Sequence, residues 1–211
     1  MKRPILDPVD PDAPYALASL AERQRRVSLL FAPHMKPLTA HLATVSEARG
    51  RVDDLPALDQ CDGGIAARVL LLLEAPGPKA VASGFVSRNN PDPTAKNLCE
   101  LLRDAGIPRT DTAVWNICPW YVGDGRGRIR PVTPADIAEV RTFVPGLLAC
   151  FPSLEHLVLV GRKAQSAEKW LRELTNAAFW QTYHPSGQVL NGHPERRTEI
   201  LETLKAVSNA I

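Results

Sequence analysis

The chain has 211 residues, 45% of them hydrophobic and 23% charged, with a formal net charge of +2. That length suits one compact domain with a substantial core, and no apolar run nears the roughly 20 residues a membrane span needs. The small positive balance neither demands nor excludes nucleic acid, because charge gathered on one face matters more than the total. The N-terminus, Met1-Lys2-Arg3-Pro4, leads to Asp7, Asp10 and Asp12 rather than an apolar segment. A secretory signal is therefore not expected, and the cytoplasm is the default location. Cys61, Cys99, Cys118 and Cys150 are widely spaced, with no C-x-x-C. They read as reduced thiols, not as a metal site.

In chain order, Pro14 to Arg49 reads as helix, with Leu17, Leu20, Ala21, Val27, Leu30 and Phe31 at roughly helical spacing. Pro33 and Pro37 divide it into two. Asp53 to Gly64 carries acids, a proline and two glycines and reads as a loop. Arg68 to Leu73 is an unbroken apolar run suited to a strand buried on both faces. Further strands are predicted at Thr112–Ile117, His156–Val160 and Ala178–Tyr183. Helices are predicted at Thr94–Ala105, Pro134–Cys150, Arg162–Asn176 and about Pro194–Val207. Thr133 before Pro134 makes a helix start. No internal repeat is present, and Gly123 to Gly127 marks a loop. The alternation of strands and helices predicts an α/β fold, a three-layer α/β/α sandwich on a mostly parallel four-stranded sheet. Residues 1–60 are expected to form a helical extension packed on a single domain spanning 1–211.

Open parallel sheets place their sites beyond the carboxyl ends of the strands. The residues there are Glu74-Ala75-Pro76-Gly77, Asn116-Ile117-Cys118-Pro119, Gly161-Arg162-Lys163-Ala164 and His184-Pro185-Ser186. A carboxylate, an amide and an imidazole would converge on one rim. Taken singly, Glu74 suits a helix cap, Asn116 a strand-end partner for backbone groups, and His184 a turn. Position alone leaves the reaction undecided.

In these motifs the sequence resembles the uracil-DNA glycosylase superfamily. The iron–sulfur branch of that family reads G-E-A-P-G after its first strand, where this chain has Leu73-Glu74-Ala75-Pro76-Gly77. The family's strand-end asparagine is matched by Asn116, its L-G-x-x-A by Val160 to Ala164, and its H-P-S by His184-Pro185-Ser186. Order and spacing agree from about Val69 to the C-terminus. Two departures stand out. The branch's N-terminal C-x-x-C is absent, and Val140 stands where its fourth cluster cysteine falls, so of the set only Cys118 remains. A [4Fe–4S] cluster needs its full set of ligands, and no cofactor is expected. The branch's phenylalanine segment is altered too, reading Gly84-Phe85-Val86-Ser87-Arg88-Asn89-Asn90. The chain therefore resembles a divergent branch.

The resemblance implies a monomeric, monofunctional enzyme that excises uracil from DNA. Cleaving the N-glycosidic bond puts negative charge on uracil O2, and a donor aimed there stabilises the transition state. His184 would take that part. Asn116 would accept from N3–H and donate to O4, a pattern cytosine reverses. Phe85 would stack on the flipped base, and Ala75, Pro76 and Gly77 would wall the pocket. Glu74 would orient the attacking water or stabilise the sugar cation. Ser186 and Gly187 would press on the DNA backbone, Val189 or Leu190 would wedge into the stack, and Arg126 and Arg128 would meet phosphates. Two other readings stay open: a non-catalytic module that binds damaged DNA, and a hydrolase or transferase acting on free nucleosides.

Overall fold

The computed structural model describes residues 10–51, 54–124 and 128–211. Four parallel strands form the central sheet: β2 (Val69–Leu73), β4 (Thr112–Asn116), β5 (His156–Val160) and β6 (Ala178–Thr182), in the order β4-β2-β5-β6. Every residue of β2, β4 and β5 is buried, whereas β6 at the edge is largely not. That is why three of the four sequences are continuous apolar runs. The register pairs Leu72 with Trp115 and Leu73 with Asn116.

Successive strand residues face opposite sides, and the neighbours confirm it. Leu72 and Trp115 meet α2 (Lys36–Arg49) and α5 (Pro134–Ala149) through Leu42, Val45, Val140 and Val144. On the other face, Leu73 and Val114 meet Leu98 of α4 (Pro93–Asp104), and α4 packs against α9 (Glu195–Ser208). Helices on both faces make the three layers. Thr133 caps α5 in a capping box, its side chain accepting from the Asp136 N–H while Asp136 accepts from the Thr133 N–H.

Several elements depart from the sequence expectation. The 53–64 loop holds β1 (Ala57–Leu58), which pairs in parallel with β3 (Phe85–Val86) beside the main sheet. The expected Arg162–Asn176 helix is two short ones, α6 (Arg162–Gln165) and α7 (Glu168–Leu171). Two further short helices had no sequence signal: α3 (Pro78–Ser83) and α8 (Gly187–Gly192). Such brief helices barely offset the cost of nucleation and form only where packing supports them.

The N-terminal segment forms two helices, α1 (Leu20–Val27) and α2. It is tied down by a buried ionic network absent from any local pattern. Arg26 of α1, fully buried, pairs with Glu22 and with Asp59, and donates to Ser87 and to the Asn89 side chain. Arg109 reaches Asp59 at 2.8 Å and Asp62 at 3.0 Å, and Arg88 pairs with Asp62 at 3.3 Å. Burial works against ionising Asp59, yet Arg109 and Arg26 outweigh it and hold its carboxyl below the ordinary value. No helix among the described residues is long and apolar enough to cross a membrane.

Candidate active site

Parallel pairing sends the carboxyl ends of β2, β4, β5 and β6 to one edge, so Glu74, Asn116, Gly161 and His184 come together as expected from their positions. Pairing continues past the strand ends. The Ile117 N–H donates to the Leu73 carbonyl at 2.7 Å and the Cys118 N–H to that of Glu74 at 2.9 Å. This fixes the Glu74 backbone beside the Asn116 strand.

Two cavities open at this edge. The first, of about 340 Å³, is lined by Ala75, Pro76, Gly77, Val86, Asn116 and His184 among others. The second, of about 780 Å³, is lined by Glu74, Lys163, Ser186 and Val189. Ala75, Ile129 and His184 border both. A ligand spanning the two would have its midpoint against these three residues.

The backbone on either side of His184 is fixed by Gly161 and Asn97. Gly161 adopts φ +87°, and a Cβ there would lie 3.1 Å from the His184 Cβ. Glycine thus serves both the backbone turn and the close approach of the imidazole. The Gly161 N–H donates to Thr182 O at 2.8 Å, two residues before His184. The Asn97 amide donates to Pro185 O at 2.8 Å, two residues before α8, whose N-cap is Ser186. Burial pushes the His184 imidazole below its ordinary pKa of 6.5, with Glu74 and Asp92 pulling the other way. At neutral pH the ring is uncharged and offers one N–H donor.

Asn116 is 4% exposed, and its Nδ2 is buried with no hydrogen-bond partner. A buried amide donor without a partner costs free energy on the order of 1–3 kcal/mol, so it points to a ligand that supplies an acceptor. Glu74 is half-buried, and its Oε1 accepts the Val132 N–H at 3.2 Å. Lys163 donates to the Val132 carbonyl at 3.3 Å. One backbone residue at the foot of α5 therefore ties the carboxylate and the lysine to the same wall.

The remaining sequence candidates are placed unevenly. Phe85 is 1% exposed and lines neither cavity. Strand alternation in β3 turns its neighbour Val86 toward the first cavity instead. Gly187, Val189 and Leu190 lie in the helix α8, not in a loop; Val189 lines the second cavity, whereas Leu190 packs partly buried against the core. Arg128 is exposed, and Arg126 lies outside the described residues. Arg130 is committed to Asp136, at 2.6 and 2.8 Å.

Among the cavity residues that escaped the sequence reading are Asp92 and Asn90. Asp92 caps α4, lines the first cavity and acts electrostatically on His184; an Asp-Pro helix start was the available signal. Asn90 lines the same cavity, held by Ser83 at 2.7 Å and by the Phe85 carbonyl at 2.8 Å.

The residues present do not fit an iron–sulfur cluster. Cys118 is fully buried and its thiol is pushed up to about 12, chiefly by burial, which keeps it protonated rather than a thiolate ligand. Val140 offers no donor. Among the described residues, no group of three or more His, Cys, Asp and Glu could hold a metal ion.

Such a site, at the switch edge of a parallel sheet between two helical layers, belongs to a class of α/β enzymes and binding proteins that take ligands beyond their strand ends. Comparison narrows the class. Residues 62–206 match the family model described as the Uracil DNA glycosylase superfamily, and the chain belongs to that superfamily. Among solved structures it is similar to SMUG2 of Pedobacter heparinus, with 13% identity over 68% of this chain and 77% of that one, at a TM-score of 0.52. It is also similar to a candidate uracil DNA glycosylase from Methanosarcina acetivorans, with 14% identity over 74% of this chain and 98% of that one, at a TM-score of 0.50. No curated protein matches the chain at a significant level.

Proposed function

We propose that the protein is a monofunctional DNA-repair glycosylase that hydrolyses the N-glycosidic bond of uracil in DNA and leaves an abasic site. The observation that carries the reading is the unpartnered Nδ2 of Asn116, a residue lining a cavity roomy enough for a pyrimidine base that His184 lines too. A uracil in that cavity presents O4 to the Asn116 amide NH2 and N3–H to its carbonyl oxygen. Cytosine presents a donor and an acceptor in the reverse order, so it leaves both ends of the amide mispaired.

His184 stands where the two cavities meet, between a bound base and its sugar. Its neutral N–H donates to the O2 oxyanion as the glycosidic bond breaks. A donor already in place costs no reorganisation at that moment. Glu74, fixed by the Val132 N–H, faces the second cavity, where the deoxyribose cation and the attacking water would lie. The base would be held between aliphatic walls, Pro76 and Val86 among them, and not on the Phe85 ring. The helical segment before residue 61 would act as an extension packed on the glycosylase domain through Arg26, which donates to Ser87 and Asn89, and Asp59, which pairs with Arg109.

The deciding experiment is a panel of oligonucleotides, each with one altered base, together with free deoxyuridine, assayed for base release in chelator. Release of uracil from the oligonucleotide but not from the free nucleoside supports the proposal. Binding without release would favour a damage-binding module, and turnover of the free nucleoside a nucleoside hydrolase.

A further inference from the structure

We propose that Ile129 is the side chain that enters the base stack of duplex DNA when a nucleotide is turned out into the first cavity; the inference rests on the glycosylase reading above. Large hydrophobic side chains left in water are ordinary by themselves and informative only where they border a site. Those that are exposed include Tyr15, Leu20, Val27 and Phe31 near the N-terminus, Leu174, Tyr183 and Ile129. Of these, Ile129 alone lines the two cavities, and it is 50% exposed. Tyr183 is already covered by Arg196, which lies 4.6 Å from its ring centre.

The backbone beneath Ile129 is braced. It forms an antiparallel bridge with Gly123. The Arg130 N–H donates to Val122 O at 3.2 Å, and the Asp124 N–H to Arg128 O at 3.0 Å. Arg130 is anchored to Asp136 at the start of α5. Arg130 borders the second cavity beside Ile129, and Arg128 is exposed. An apolar tip on a braced backbone is what a wedge needs: it fills the gap a departing base leaves, with the exposed Arg128 beside it for a phosphate.

The segment after His184 is less suited to the part. Leu190 is packed against the core and Val189 faces the second cavity from within α8. Neither belongs to the exposed large hydrophobics.

The test compares the parent with Ile129→Ala and Ile129→Leu. Single-turnover uracil release is measured on one oligonucleotide, first single-stranded and then in duplex. In parallel, 2-aminopurine beside the uracil reports unstacking when excess protein binds the duplex. A wedge acts only where a stack must be opened. Ile129→Ala should therefore slow duplex release at least about tenfold and blunt the fluorescence rise, with single-strand release kept within about twofold. Ile129→Leu should restore both. Equal rates on duplex for parent and Ile129→Ala would overturn the proposal, as would parallel losses on both substrates, which would make Ile129 a pocket wall. If the parent releases no uracil but still gives an Ile129-dependent fluorescence rise, the wedge stands and the glycosylase reading falls.

Discussion

Gly161 and His184 are in a contact that admits no side chain between them: a Cβ on Gly161 would come 3.1 Å from the His184 Cβ and 3.6 Å from its Cδ2. The glycine also holds φ +87° and ψ 160°, a region essentially reserved to glycine that costs another residue roughly 1–3 kcal/mol. Gly161→Ala is therefore expected to displace the imidazole as well as strain the turn. Uracil release should fall at least about tenfold in protein that still folds, since small misplacements of a catalytic group are expensive. A variant with lowered melting temperature and parent turnover would show that His184 tolerates the shift.

Truncating the imidazole itself separates chemistry from binding. His184→Ala should lower the single-turnover rate about a hundredfold to a thousandfold, the usual loss for one oxyanion donor. Affinity for DNA depends mainly on phosphate contacts made elsewhere and should change little. Parent-rate cleavage by a well-folded His184→Ala would remove the residue from the mechanism. Glu74→Gln, which keeps an acceptor for the Val132 N–H, should lose less.

Asn116→Asp replaces the unpartnered NH2 of a residue that lines the first cavity with an acceptor. The mismatch with uracil O4 should cost on the order of 1–3 kcal/mol in selection. Competition between uracil and cytosine oligonucleotides reads it directly. An unchanged preference would place the base elsewhere than against Asn116.

Arg26→Ala should be the most damaging change outside the site. It leaves Asp59 buried beside a lost cation, and breaking such a pair costs roughly 3–5 kcal/mol. Urea unfolding would show a lower midpoint with an unchanged slope. A loss under about 1 kcal/mol, the range of surface pairs, would mean that Arg109 alone suffices for Asp59.

Acid should destabilise the fold through its histidines. Burial depresses both His41 and His184 below 6.5 in the folded state. Unfolded, they take up protons as the pH drops through about 6.5, while the folded protein resists. The unfolded chain then binds more protons, so stability falls below that pH and levels off once the folded values are passed. The carboxylate of Glu22, held at about 2 mainly by Arg25, adds its own loss only near and below its ordinary 4.5. Melting temperatures between pH 7.5 and 5.0 should fall less steeply in His41→Gln and His184→Gln. Equal slopes in all three proteins would assign the acid sensitivity to other groups.

The sequence by itself determined the four central strands, the two-faced burial of three of them that suits a parallel sheet, and the rim on which Glu74, Asn116, Gly161 and His184 meet. These follow from local quantities: an apolar run, its length, and what comes right after it. Tertiary structure alone decided the rest. Phe85 pairs into β3 and is buried, Leu190 turns inward in α8, and Arg130 is claimed by Asp136. The buried donor of Asn116, the Glu74–Val132 hydrogen bond and the Arg26–Asp59 pair are equally invisible in the sequence. Each depends on which distant residue reaches a given side chain, and 33 to 58 positions separate the partners in the last two cases. Periodicity reports the face a residue turns to the core. It carries no information about which polar partner waits there, or whether one does.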